Sequence, residues 1–231
     1  MNTQVGTSGY SYAPWKGSFY PEDLKAADML RYYSQRFPTV EINNTFYRMP
    51  TAPLIERWAS ETPESFSFVL KAPRRLTHEK RLEDPESEEY FFRTAGLLAD
   101  RLGPTLFQLP PFFKKDLARL QGFLARIPNG RRVALEFRHA SWFDDEIYDA
   151  LRASGAALCL AATDEAPNPA IEPTTDWGYL RLRRIQYDET ALDAWAARIR
   201  SQPWKEAWVF FKHEDAGTGP KLARQLIERL G

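Results

Sequence analysis

Two glutamates, Glu41 and Glu136, lie inside short apolar stretches, where a charged side chain marks a special environment. With the two-residue period of a β-strand, the second stretch places its apolar residues on one face and Glu136 with Arg138 on the other. Two carboxylates can act as acid and base when their surroundings drive their pKa values apart. We therefore predict Glu136 and Glu41 as proton-transfer residues, assisted by His78 and His139. The alternative is that each glutamate forms only a structural ion pair.

Cationic, amide and aromatic side chains stand near the ends of the other apolar stretches. Planar guanidinium groups suit phosphate and carboxylate, so their clustering in a neutral chain indicates an anionic substrate. The alternative is that some arginines point outward, with Arg74 and Arg183 the first candidates. A Schiff base through Lys71 or Lys212 is a further alternative. The predicted substrate-binding residues are Lys71, Arg74, Arg138, Arg181, Lys212, Asn43, Gln108, Tyr10 and Trp15.

Eight predicted strands alternate with seven predicted helices, a pattern typical of a closed (β/α)8 barrel of the TIM type. The first helix is predicted from Pro21 to Arg36 and the second strand from Thr39 to Phe46. No regular helix is expected between strands six and seven, because residues 165–173 contain three prolines. The whole chain, 1–231, is predicted to form one barrel domain, whose C-terminal strand ends share one mouth.

Several ordered motifs are similar to those of the microbial "domain of unknown function 72" family. The resemblance implies a TIM-type barrel but names no reaction. The chain departs from many relatives at Arg183-Arg184, where they carry His-Gly, and at Lys212-His213, where they carry paired Asn. The motifs are Gly6–Tyr12 with Trp15–Gly17, Val40–Tyr47, Lys71–Arg74, Thr77-His78, Phe107–Pro111, Glu136–His139, Tyr179–Arg181 and Phe211–Asp215.

Composition excludes several classes of protein. Lys plus Arg equals Asp plus Glu, at 31 each, so no global charge points to nucleic acid or a membrane. The single cysteine, Cys159, excludes an internal disulfide, and no apolar run approaches membrane-spanning length. We therefore predict a cytoplasmic protein without a membrane partner. No nucleotide-cofactor motif occurs, whereas a divalent metal held by the histidines and nearby acids is left open.

These observations favour an enzyme with hydrolase-like acid–base chemistry on a small anionic substrate at the barrel mouth, such as a phosphorylated or nucleotide-like molecule. A non-catalytic module that grips single-stranded nucleic acid through basic and aromatic residues is the main alternative. A carbohydrate hydrolase that uses Glu41 and Glu136 is a third, and it requires a carboxyl separation of roughly 5 to 9.5 Å. The oligomeric state is not predicted.

Overall fold

Eight parallel strands form a nearly closed barrel in the computed structural model, which describes residues 1–231. The strands follow one another around the barrel in chain order, and β1 pairs with β8, so that the first and last strands are neighbours. The predicted TIM-type barrel is confirmed. The strands are β1 (Asn2–Thr7), β2 (Thr39–Ile42), β3 (Ser67–Lys71), β4 (Leu102–Gln108), β5 (Val133–Glu136), β6 (Ala157–Ala162), β7 (Trp177–Leu182) and β8 (Glu206–Phe211).

Helices follow most of the strands and pack against them in a core of 51 buried residues. On α7, for example, Leu192, Trp195 and Ile199 recur at helical spacing and are buried. As the prolines predict, no helix lies between β6 and β7. The helices are α1 (Met29–Ser34), α2 (Asn44–Tyr47), α3 (Ala52–Glu61), α4 (Pro85–Ala95), α5 (Leu117–Leu124), α6 (Asp145–Ser154), α7 (Glu189–Arg200) and α8 (Thr218–Leu230). None of them combines the length and apolar character that crossing a lipid bilayer requires.

The interior of the barrel changes from apolar to polar toward the C-terminal strand ends. Leu106 on β4 is followed two residues later by Gln108, and Tyr179 on β7 is followed in the same way by Arg181. Because alternate residues of a strand share a face and all strands are parallel, the polar members collect at one end. A cluster of nine buried residues fills the rest of the interior: Val69, Leu106, Ala134, Ala157, Cys159, Trp177, Tyr179, Trp208 and Phe210.

The barrel closes between β1 and β2 through a tyrosine hydroxyl as well as through backbone pairing. The hydroxyl of Tyr33, on α1, accepts a hydrogen bond from the Thr7 amide (2.8 Å) and donates to the Thr39 carbonyl (3.2 Å). A Cβ on Gly6 would lie 2.2 Å from the Thr39 carbonyl oxygen, so only glycine fits this approach. Direct backbone pairing of the two edges is confined to one bridge, between Ser8, just after β1, and Glu41 on β2.

Two predicted elements are wrong in extent. The helix predicted from Pro21 to Arg36 is reduced to α1 and a 3-10 turn at 26–28. The preceding chain folds back as a loop, because Phe19 and Tyr20 are buried against Tyr32, with ring centroids 5.7 and 5.4 Å away. Tertiary packing thus overrides helix propensity here.

The second strand ends at Ile42 instead of Phe46, and α2 follows directly. The Thr45 hydroxyl lies within hydrogen-bond distance of two carbonyl oxygens, those of Ile42 (3.1 Å) and Lys71 (2.7 Å). A side-chain hydroxyl that satisfies backbone acceptors in this way favours a turn over a continued strand. This turn carries the residues after β2 over the barrel mouth.

Candidate functional site

The floor of the barrel mouth is an ion-pair triad of Arg181, Glu41 and Glu136. The guanidinium of Arg181 donates to Glu136 at 2.6 Å and to Glu41 at 2.8 Å. The three residues come from β7, β5 and β2, no two of which are neighbours in the sheet, and each is at most 2 % exposed. Burial alone would lower the pKa of Arg181, but the two carboxylates raise it well above its usual range.

Glu41 is bound by hydroxyl groups in addition to the arginine. Ser8 donates to it at 2.5 Å and Tyr179 at 2.7 Å. These donors compensate a fully buried carboxylate that no water reaches. Glu41 therefore has its acceptor positions occupied by Ser8, Tyr179 and Arg181.

Glu136 is surrounded by cations and an amide. The Gln108 amide donates to it at 2.7 Å, Arg138 donates at 3.3 Å, and an Arg183 nitrogen lies 3.7 Å away. Burial raises its pKa, but Arg181, Arg138 and Arg183 outweigh that effect and lower the pKa to about 2. Glu136 is therefore ionised at neutral pH.

Lys71, at the end of β3, has no carboxylate partner of its own. Its ammonium group donates to the Gln108 side-chain carbonyl at 2.9 Å and lies 4.0 Å from the centroid of the Phe46 ring. Burial, reinforced by the nearby charge of Arg181, lowers the pKa of Lys71 to about 8. A sizeable fraction of the amine is therefore neutral in mildly alkaline solution.

A cavity of about 290 Å³ opens above the triad. Five of its lining residues are cations, whereas Glu214 is the only acid among them. Burial and the charge of neighbouring arginines lower the pKa of both Lys212 and Arg183. The lining residues are Tyr12, Asn43, Asn44, Phe46, Tyr47, Lys71, Gln108, Arg138, Arg181, Arg183, Lys212 and Glu214.

Comparison with known proteins identifies the family of this barrel. The family described as "Protein of unknown function DUF72" matches residues 4–231. The chain belongs to the DUF72 family. It is 29 % identical to the UPF0759 protein YunF of Bacillus subtilis, over 92 % of this chain and 90 % of that protein.

Solved structures of DUF72 proteins share the fold. A DUF72 protein from Thermotoga maritima is 31 % identical, with a TM-score of 0.85 over 100 % of this chain and 99 % of that one. One from Enterococcus faecalis superposes with a TM-score of 0.82 at 18 % identity, over 99 % of this chain and 95 % of its own, and shows the fold alone.

The cavity of the DUF72 chain brings together six of the predicted substrate-binding residues: Lys71, Arg138, Arg181, Lys212, Asn43 and Gln108. Glu41 and Glu136 lie beneath them and contact Arg181. Because alternate residues of a strand share a face, the sequence predicts that both glutamates point into the barrel. Their catalytic roles stay predictions.

Three predicted binding residues lie away from the cavity. Trp15 is fully buried among aromatic rings of the N-terminal loop, where it packs against Tyr12 and Phe19. Tyr10 is half-buried in a small hollow next to the cavity, beside the end of β2. The Arg74 side chain is 64 % exposed and lies 3.8 Å from Glu79. An aromatic or cationic residue in a loop carries no periodicity that shows which way it points.

The two histidines predicted to assist catalysis do not line the cavity either. His139 uses its Nδ1 to accept from the Ser141 amide, as a cap of the short turn after β5. His78 packs edge-on against Phe46, and burial with the nearby charge of Lys71 lowers its pKa to about 4. His78 is therefore uncharged at neutral pH. Phe46 contacts both His78 and Lys71.

Several lining residues are not among the predicted substrate-binding residues. The alternative that Arg183 points outward is wrong, because its side chain lines the cavity and approaches Glu136. Strand alternation from Arg181 to position 183 was the signal that could have found it. The aromatic lining by Tyr12, Phe46 and Tyr47 depends on turns after β1 and β2 and had no comparable signal.

No group of three or more His, Cys, Asp or Glu side chains has a geometry that could hold a metal ion. His213, the third histidine, is buried and its Nε2 lies 2.6 Å from the Arg184 carbonyl oxygen. The two buried glutamates are instead paired with arginines, so the site is a cationic pocket above an ion-paired floor.

Proposed function

We propose that this DUF72 barrel is an enzyme that binds a small, multiply charged anion, such as a phosphorylated metabolite, in the cavity at its C-terminal mouth. The observation that carries the proposal is the local imbalance of charge. Five cations line the cavity, against Glu214 on its wall and the two glutamates of its floor. An anion of two negative charges would balance this excess.

Unsatisfied donors support the same proposal. The Nε of Arg181, the Nε of Arg183 and the side-chain nitrogen of Asn43 are buried, and none has an acceptor in the protein. A buried donor without an acceptor costs about 1–3 kcal/mol. The oxygens of a bound phosphate or carboxylate group would supply acceptors on the cavity side, and the forked guanidinium groups match them in geometry.

We assign the two glutamates a positioning role and proton transfer to Lys71. Glu136, with a pKa of about 2, is a poor base and holds no proton to donate near neutral pH. Lys71, with a pKa of about 8, can exchange a proton in that range. A carbohydrate hydrolase of the two-glutamate type needs a protonated carboxylic acid, which is why we do not favour it. Hydrolysis is the simplest reaction of this acid–base class.

Calorimetric titration with phosphate and pyrophosphate, at low and high salt, tests the anion site. Binding is expected at low salt, and Arg183→Ala should weaken it by about tenfold, because a charge-assisted contact of about 1.4 kcal/mol is lost. Arg74→Ala is the matched control, since that arginine is exposed and outside the cavity. No binding of either anion, or equal loss in both variants, would overturn the proposal. A panel of phosphorylated metabolites, scored for product formation, then tests turnover.

Binding of single-stranded nucleic acid is the second candidate, and one residue favours it. Tyr47 lines the cationic cavity but is 82 % exposed, and its ring packs edge-on against Phe46. An exposed ring beside cations can stack a base while the cations bind phosphates. Salt-dependent binding of an oligonucleotide that is weakened by Tyr47→Ala, without any product, would favour this function over the enzyme.

A further inference from the structure

Lys71 is the one lysine of the chain that is buried, at 8 % exposure, and it forms no ion pair. Two exposed or half-buried lysines have close carboxylate partners: Lys115 lies 2.8 Å from Glu146, and Lys205 lies 2.8 Å from Asp176. A lysine with a partner keeps its proton, whereas one that is desolvated beside other cations becomes a nucleophilic amine.

Gln108 lies between Lys71 and Glu136 and bonds both. Its carbonyl oxygen accepts from Lys71, and its amide nitrogen donates to Glu136 at 2.7 Å. The amide is thereby fixed in one orientation, with its oxygen toward the lysine. Because Gln108 is neutral, Lys71 is held in place without the charge that would stabilise its protonated form.

We infer that Lys71 is a nucleophile that forms an imine with the carbonyl carbon of a small anionic aldehyde or ketone held by the arginines of the cavity. The inference rests on the proposed anion site, adds the class of substrate to it and gives Lys71 a covalent role in place of proton transfer. The neutral amine attacks the carbonyl carbon, and the new carbon–nitrogen bond replaces the carbon–oxygen bond. The carbonyl oxygen leaves as water with the two amine protons, so that no oxidant or reductant is needed.

The dimensions of the cavity fit such a substrate. A volume of about 290 Å³ is at the lower limit of ligand pockets, which selects a molecule of a few carbon atoms with its charged group. Arg183 and Lys212 line the same cavity as Lys71, and Arg181 forms its floor. An anionic group on these residues would hold the carbonyl near the amine and replace a bimolecular encounter by an intramolecular one.

Reductive trapping on the intact chain tests the inference. The probe is glycolaldehyde phosphate with cyanoborohydride, and uncharged glycolaldehyde is the control probe. Peptide mass mapping then reports which lysine carries the reduced adduct. Lys71 is expected to react at least tenfold faster than Lys25, which is exposed and forms no ion pair. Inorganic phosphate should slow the reaction of Lys71 with glycolaldehyde phosphate. Uncharged glycolaldehyde should not react preferentially with Lys71.

Parallel phosphate titration separates failure of this inference from failure of the proposed function. If phosphate binds but the adduct follows exposure, with Lys25 ahead of Lys71, the imine is overturned and the anion site stands. If phosphate does not bind and Lys71 is not labelled, both fall. The variant Lys71→Met is a further control. A phosphate-sensitive adduct that persists in this variant would also overturn the inference.

Discussion

A terminal nitrogen of Arg181 lies 2.6 Å from a carboxylate oxygen of Glu136, with both side chains at most 2 % exposed. The same guanidinium binds Glu41 at 2.8 Å. Since one cation faces two buried acids, removing it would leave Glu41 without a cationic partner and Glu136 with only the longer contacts to Arg138 and Arg183. The triad is therefore a structural requirement of the barrel mouth as well as its electrostatic floor.

Replacing Arg181 is expected to destabilise the protein strongly. Arg181→Met should lower the free energy of unfolding by about 3–5 kcal/mol, because breaking a buried pair strands its partners. Urea denaturation at neutral pH measures the change. Adding Glu41→Gln and Glu136→Gln to this variant should recover part of the loss, which identifies the stranded charges as its cause. Arg74→Met, on the exposed pair with Glu79, should change stability by less than about 1 kcal/mol. A loss as small as this in Arg181→Met would contradict the assignment.

The pKa of Glu136 predicts sensitivity to acid. Its folded-state pKa of about 2 lies below the ordinary value of 4.5, so its stabilising contribution is complete above pH 4.5 and is lost as the pH falls toward 2. The contribution is of order 3 kcal/mol. Unfolding free energies measured across this range should fall less steeply in Glu136→Gln than in the wild type. Parallel pH profiles of the two proteins would show that Glu136 does not titrate as described.

The charge on Lys71 is expected to cost stability. Its pKa of about 8 in the folded protein is below the ordinary 10.5, so the wild type should gain stability as the pH rises from 8 to 10.5. Lys71→Met should raise the free energy of unfolding at pH 7 by about 1–2 kcal/mol, and this advantage should shrink through the same pH range. Denaturation at pH 7 and pH 10 measures both effects. A destabilised variant at pH 7 would show that the lysine is structural.

The hydroxyl of Tyr33 is predicted to stabilise closure of the barrel. Tyr33→Phe should lower the unfolding free energy by about 1–3 kcal/mol, because the buried Thr7 amide and Thr39 carbonyl lose their partner. Tyr32→Phe is the matched control, since the hydroxyl of that neighbouring residue contacts no backbone group of the strands. Amide exchange should also speed up at Thr7 in the first variant and stay unchanged in the second.

Much of the architecture could be predicted from the sequence because it follows from local periodicity. The buried residues of α7 recur at helical spacing, and the prolines between β6 and β7 exclude a helix. Alternation along the strands also indicates that Glu41, Gln108 and Glu136 face inward. These features depend on residues a few positions apart, and so one strand or one helix is enough to determine them.

The pairing within the site depends instead on strands that are distant along the chain. Arg181 binds Glu41, which lies 140 positions away in the chain. The sequence shows which charged residues face inward, but not that one guanidinium binds both glutamates. The direction of Arg183, the burial of Trp15 and the displacement of His139 from the cavity likewise depend on how turns pack against their neighbours. Periodicity identifies which side chains enter the barrel, whereas distances across its interior determine which of them form ion pairs and which, like Lys71, do not.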